Sequence, residues 1–201
     1  MTHRISRRGL LVATGAGLVG MAGGNALASS GSTTGEPNEA DIGFCVDMST
    51  HHVQAVAMCQ RVLGRDTGDP VQAAASEVLQ TQSIEVGMMR AWLTDWGSST
   101  TAPDTVMAWM GMGLGDGIPA EGMSGLASDD DMRALALADG RERGRMWLEL
   151  MRAHHVGGVH MATAAIDLAG LEKVRRLART QAEVQTYEIE QYDLLLAVEY
   201  A

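Results

Sequence analysis

Along the first half of the chain, Cys45, Met48, His52, Ala55, Cys59 and Val62 fall alternately three and four residues apart, the spacing of one inward stripe on a helix. Pro37, Asn38 as a cap with Asp41 three residues on, and Gly64 as terminator bracket that helix over 38–64. Asp69-Pro70 reads as a second start, a cap followed by a first-turn proline, and the periodic apolar run lasts to Trp96 before Gly97 ends it. Residues 38–64 and 70–96 are therefore expected to form an antiparallel hairpin. From Gly97 to Ala127 the periodicity disappears into Gly, Ser, Thr, Pro and Met. It resumes at Ser128, where a capping hydroxyl precedes Asp129, Asp130 and Asp131 in the electropositive first turn of a short helix. Asp139-Gly140 separates that helix from a long one running to Gly170, and a last helix spans Leu171 to about Tyr200. Gly157 and Gly158 lie inside the long helix at a cost of about 1 kcal/mol each relative to Ala, so a close backbone approach is expected there.

The two halves repeat. Phe44 to Met58 carries Met48, His51, His52 and Met58, and a constant shift of 103 positions gives Met151, His154, His155 and Met161. The same shift carries Gln82 and Glu85 to Gln185 and Glu188, Val86 to Ile189 and Leu93 to Leu196. A shift that never drifts indicates two structural halves of one design. The fold that follows is all-α: a ferritin-like four-helix bundle built from two helical hairpins (38–96 and 128–201) joined by a long Met- and Gly-rich crossover, 97–127.

On each first helix of a hairpin, Met and His at these spacings face the same interior, and four buried imidazoles are costly unless something binds them. A lone core histidine is usually a hydrogen-bonded packing residue, and methionines at helical spacing are usually filler. The doubling of the whole set favours a metal-related site. Glu85 and Glu188 are expected opposite the histidines, either as ligands or holding the second imidazole nitrogen; a buried Gln-Glu pair that only orients helices is the alternative. In the crossover, Met110, Met112 and Met123 sit among glycines, which suits a soft monovalent ion such as Cu(I) or, equally, a lid with thioether filler.

Composition agrees with a bundle: 46% hydrophobic residues with 14 Met but only 4% aromatics leave Leu, Ala, Val and Met to build the core. The N-terminus reads as a twin-arginine export signal over 1–28, with Arg7-Arg8 before a short Gly-rich apolar run and Ala26-Leu27-Ala28 as a cleavage site. That run is too short to span a membrane, so the mature chain is expected in the periplasm or outside the cell with no membrane span. A flexible lead over 29–37 would follow. Loss of Arg4, Arg7 and Arg8 with the signal leaves 12 basic against 25 acidic residues, a net charge of −13 that excludes nucleic acid as a natural partner. Cys45 and Cys59 stand fourteen residues apart on one helix, about 21 Å, too far to bridge, and read as small buried hydrophobes.

No Glu-x-x-His occurs, which disfavours a carboxylate-bridged di-iron centre; no Gly-x-Ser-x-Gly elbow and no phosphate loop opening a helix is present. The pattern Asp41-x-x-Phe44-x-x-x-Met48-x-x-His51-His52-x-x-Ala55, with the block from Met151 through His154-His155 to Met161-Ala162, resembles the DUF305 family of exported ferritin-like bundles, and the likeness covers residues 38–200. It departs from the family pattern at Gly144–Trp147, where the usual Phe-Asp is absent. The resemblance implies copper binding outside the cytoplasm through Met48, His51, His52, Met58, Met151, His154, His155 and Met161, with Met123 of the crossover. The expected activity is sequestration or transfer of copper, as Cu(I) or Cu(II), without turnover. Another transition metal, a ferritin-like metal-dependent oxidoreductase, and a metal-free structural module are the rival readings. Metal ions are the expected partners, with a copper chaperone or a second copy of the chain left open.

Overall fold

The computed structural model describes residues 35–111 and 117–200; the segment read as an export signal, most of the residues read as a lead, and Met112 lie outside them. Five helices follow one another: α1 Glu39–Val62, α2 Asp69–Asp95, α3 Asp129–Leu137, α4 Gly140–Leu168 and α5 Glu172–Val198. α1 packs on α2 and α4 on α5 as two hairpins, and α1 and α4 close the bundle against each other. Among the described residues no helix is long and apolar enough to cross a membrane.

The helix starts follow their caps. Asn38 accepts from the Asp41 amide while Asp41 accepts from Asn38, and Ser128 and Asp131 do the same for α3. Asp69 behaves differently from the sequence expectation: it sits in the first turn of α2, and Gly68 takes the cap position with φ +92° and no side-chain cap bond. Only glycine fits there, because the Tyr200 hydroxyl lies where a Cβ would be and donates to the Thr67 carbonyl.

Asp41 does a second job. Fully buried, it also accepts from the backbone amides of Gly170 and Leu171 at 3.2 and 3.0 Å, tying the α4–α5 turn to the start of α1. At the repeat-related position stands Gly144, packed on the Thr67 carbonyl of the α1–α2 turn and on the ring of Tyr200, which follows α5. Thus the departure at Gly144–Trp147 exchanges a carboxylate clasp for a tyrosine one, and Asp139 at the start of α4 makes no side-chain cap bond.

The crossover is strapped to the bundle more firmly than loss of periodicity suggests. Thr105–Val106 (β1) pairs antiparallel with Ile118–Pro119 (β2), and short 3-10 turns cover Ala108–Met110 and Ala120–Gly122. Buried Asp47 of α1 accepts from the Met107 amide and from Trp109 Nε1, both at 2.8 Å. Among the described residues Met107 is the one non-glycine residue held in the left-handed region, φ +64°. Gln54 then pairs its amide with both the N–H and the C=O of Ala127. The apolar core splits in two: Phe44, Met48, Met89, Met161 and the crossover's Val106, Met107, Met110 and Met123 at one end, and Met58, Val62, Val71, Leu148, Met151 and Tyr192 at the other.

Candidate metal centre

Where α1 and α4 cross, between the two core clusters, lie His51, His52, His154 and His155, all without solvent exposure. Their helices present them two by two. His52 and His155 turn toward the second helix of their own hairpin, and His51 and His154 toward each other. Nε2 of His52 donates to Glu85 Oε2 at 2.7 Å, and Nε2 of His155 to Glu188 Oε2 at the same distance. The glutamates therefore hold the histidines' second nitrogen, one of the two roles open to them from sequence. His51 donates from Nε2 to the Ser124 carbonyl at 3.2 Å, and His154 to the His51 carbonyl at 2.9 Å.

A carbonyl only accepts, so Nε2 of His51 and of His154 must carry the hydrogen. Burial, reinforced by the neighbouring imidazoles, holds both rings well below the usual histidine pKa, so both are neutral and keep a bare lone pair on Nδ1. Nδ1 of all four histidines is buried with no hydrogen-bond partner. Orphaned acceptors are rare in protein interiors, and four on one level, each with its other nitrogen fixed, match the pattern of metal-ligating histidine oriented by a carboxylate or carbonyl. Imidazole nitrogen beside thioether sulfur is a pairing of donors that soft transition metals accept.

The soft donors divide about this layer. Met48 and Met161 lie in the cluster that receives Met110 and Met123 of the crossover, whereas Met58 and Met151 lie in the other. The sequence expectation of one shared interior region for all of them becomes two thioether pairs, one on each side of the imidazoles. Antiparallel packing of α1 and α4 requires this, since a twofold relation sends Met48 to Met151 and pairs it with Met161. Among the described residues, no three His, Cys, Asp or Glu side chains converge as a ready-made chelating cluster. Cys45 and Cys59 are buried free thiols pushed up to about 12, first by burial, and stay protonated.

Residues that sequence reasoning passed over complete the surroundings. Gln181 donates from Nε2 to Glu85 Oε2 at 3.0 Å, and the signal for it was available: the repeat places it opposite Val78, a polar residue on a buried stripe. Ser124 contributes only a carbonyl, which no residue type announces. Tyr192, at Met89's repeat position, packs its ring 5.5 Å from His155.

Comparison with known proteins follows the same lines. The family model for "Domain of unknown function (DUF305)" matches residues 41–196. A structure from Streptomyces coelicolor, described as a secreted DUF305 protein, is 40% identical, with 79% of this chain and 92% of that one covered at a TM-score of 0.72. A DUF305 fragment from Deinococcus radiodurans is 25% identical over 81% of this chain and 99% of its own, TM-score 0.68. CopM, solved in a Cu(I)-bound form, shares the fold at 22% identity, covering 80% of this chain and 98% of that one with a TM-score of 0.61. No curated protein matches the chain significantly. A family model spanning most of the helical region, a relative of this identity and an imidazole layer repeated in both hairpins place this chain in the DUF305 family.

Proposed function

We propose that the chain is an exported copper-binding protein that sequesters or hands over the metal outside the cytoplasm, with copper as cargo and no turnover. The observation that carries this reading is the set of four buried Nδ1 atoms without partners. His51, His52, His154 and His155 would supply nitrogen, and Met48 with Met161, or Met58 with Met151, the soft sulfur that copper(I) accepts and harder ions refuse. Glu85 and Glu188 fix ring orientation. Met110 and Met123 bring further thioethers from the crossover to the Met48 side, with Met112 as a proposed third donor. CopM, a protein of the same fold, has been solved with Cu(I), Cu(II) and silver bound, and the Streptomyces relative is described as secreted; both support the reading. Export by the twin-arginine route after Arg7-Arg8 belongs to the same proposal.

The test is titration of the purified protein with Cu(I) and Cu(II) against competing chelators, repeated with His51, His52, His154 and His155 changed to Ala singly and together. Loss of stoichiometry or affinity is expected, and unchanged values in all variants would discard the proposal. Each histidine's hydrogen bond to a glutamate or a carbonyl, with no three His, Cys, Asp or Glu side chains converging among the described residues, favours one alternative, a structural module whose histidines only lock the helices. That alternative predicts a melting temperature indifferent to copper, because a ligand that prefers the folded state must raise it.

A further inference from the structure

The first half of α1 and the start of the crossover enclose an open groove of about 920 Å³, within the size range of small-molecule sites. It runs along α1 from Glu39 to Asp47 and uses none of the residues assigned to copper. Ile42, Val46, Ala102, Pro103, Val106 and Met107 make most of the lining apolar. Trp109 supplies an aromatic wall whose position is fixed three ways. Its ring lies so close on α1 that a Cβ at Gly43 would collide with it, it meets Phe44 edge to face with centroids 6.0 Å apart, and its Nε1 donates to Asp47 Oδ2. The charged side chains on the groove are both acids, Glu39 at the exposed end and Asp47 inside. Asp47, only 2% exposed, spends Oδ2 on Met107 and Trp109, and its Oδ1 takes no hydrogen bond among the described residues. Burial pushes this carboxyl up against the two bonds that hold it down, so its negative charge is incompletely compensated.

We infer that the groove binds an organic ammonium ion, a primary amine in its charged form carried on an apolar body. The ammonium would donate to Asp47 Oδ1 next to the Trp109 indole, where a charge-assisted hydrogen bond and the negative face of an aromatic ring act on one cation. The apolar body would lie along Ile42, Val46, Ala102 and Val106. Glu39 would draw the cation toward the exposed end. An anion of the same shape would meet two carboxylates, and a neutral ligand would leave the buried charge of Asp47 as poorly compensated as before.

The full chain, freed of metal by chelation, is titrated by calorimetry with phenylbutylammonium chloride, phenylbutanol and sodium phenylbutyrate, which share one apolar body. Saturable one-to-one binding of the ammonium is expected, tighter than the alcohol by about tenfold or more, with the carboxylate weakest. Asp47→Asn keeps an oxygen for Met107 and Trp109 and should bring the ammonium down to the level of the alcohol, while the alcohol itself binds as before. Half-buried Ala102 faces the same space, so Ala102→Phe fills the groove from the crossover side, leaves both carboxylates in place and should abolish binding of all three. No saturable ammonium binding, an alcohol that binds equally well, or an ammonium preference that survives Asp47→Asn would overturn the assignment of the ligand. Unchanged affinity in Ala102→Phe would overturn its place in the groove.

Discussion

His51 and His154 stack across the bundle with ring centroids 3.6 Å apart and planes inclined by 29°. The glutamate-held pair obeys the repeat to the same 2.7 Å in each half, but this stacked pair does not: His154 donates to the His51 carbonyl, whereas His51 donates to Ser124 of the crossover. The centre is therefore symmetric within each hairpin and asymmetric between them, where the crossover enters.

Both stacked rings have pKa values depressed by burial, so below about pH 6.5 the unfolded chain takes up protons that the folded one refuses. Stability then falls with falling pH, at a slope of at most about 1.4 kcal/mol per pH unit for each histidine. Urea unfolding at intervals from pH 8 to 5 measures it. A decline beginning near pH 6.5 is expected, flattened when both are changed to Asn; a parent curve level down to pH 5 would contradict it.

Glu85 and Glu188 each hold one imidazole, and replacing such a partner commonly weakens metal affinity about 10- to 100-fold. Glu188→Gln should do this for copper while circular dichroism and stoichiometry stay near those of the parent. Affinity within twofold of the parent would show that the carboxylate does not support a ligand.

The stripe of Cys45, Met48, His52 and Ala55, the capping pairs at Asn38 and Ser128, and the constant repeat made the bundle readable, because helix period and capping are local properties. They also made His–Glu pairing readable, since equal offsets on antiparallel helices bring equal depths together. The division of the methionines was not, because side-by-side placement on a helical wheel ignores position along the axis. Nor was the crossover's attachment. Asp47 lies on the buried side of α1, and its partners are a backbone amide and an indole some sixty residues away.

Asp47 concentrates that attachment on one oxygen, Oδ2, which accepts from both Met107 N and Trp109 Nε1. Bonds to a charged acceptor contribute about 1.5–3 kcal/mol each, so Asp47→Ala should cost several kcal/mol and free the segment around Met107–Met110. Asp47→Asn keeps an oxygen in place and should cost less. Amide hydrogen exchange distinguishes local release from global loss: the amides of 105–110 should speed up in Asp47→Ala well before those of α4 do.

Two helix glycines separate conformational cost from steric need. A Cβ on Gly87 in α2 would meet nothing within 4 Å, so Gly87→Ala should stabilise by about 0.5–1 kcal/mol through helix propensity alone. A Cβ on Gly157 in α4 would fall on the Ser124 carbonyl, the acceptor for His51, at a point where Gly125 also packs on the Ala153 and His154 backbone. Backbone on both sides cannot swing away as a side-chain tip would, so Gly157→Ala must push the crossover off α4. It loses the His51 bond and strains the chain, a cost of about 1–3 kcal/mol that outweighs the propensity gain. Thermal denaturation of the two variants side by side should move in opposite directions. A stabilising Gly157→Ala would mean that the crossover does not rest on α4, and the account of how His51 is held would fall with it.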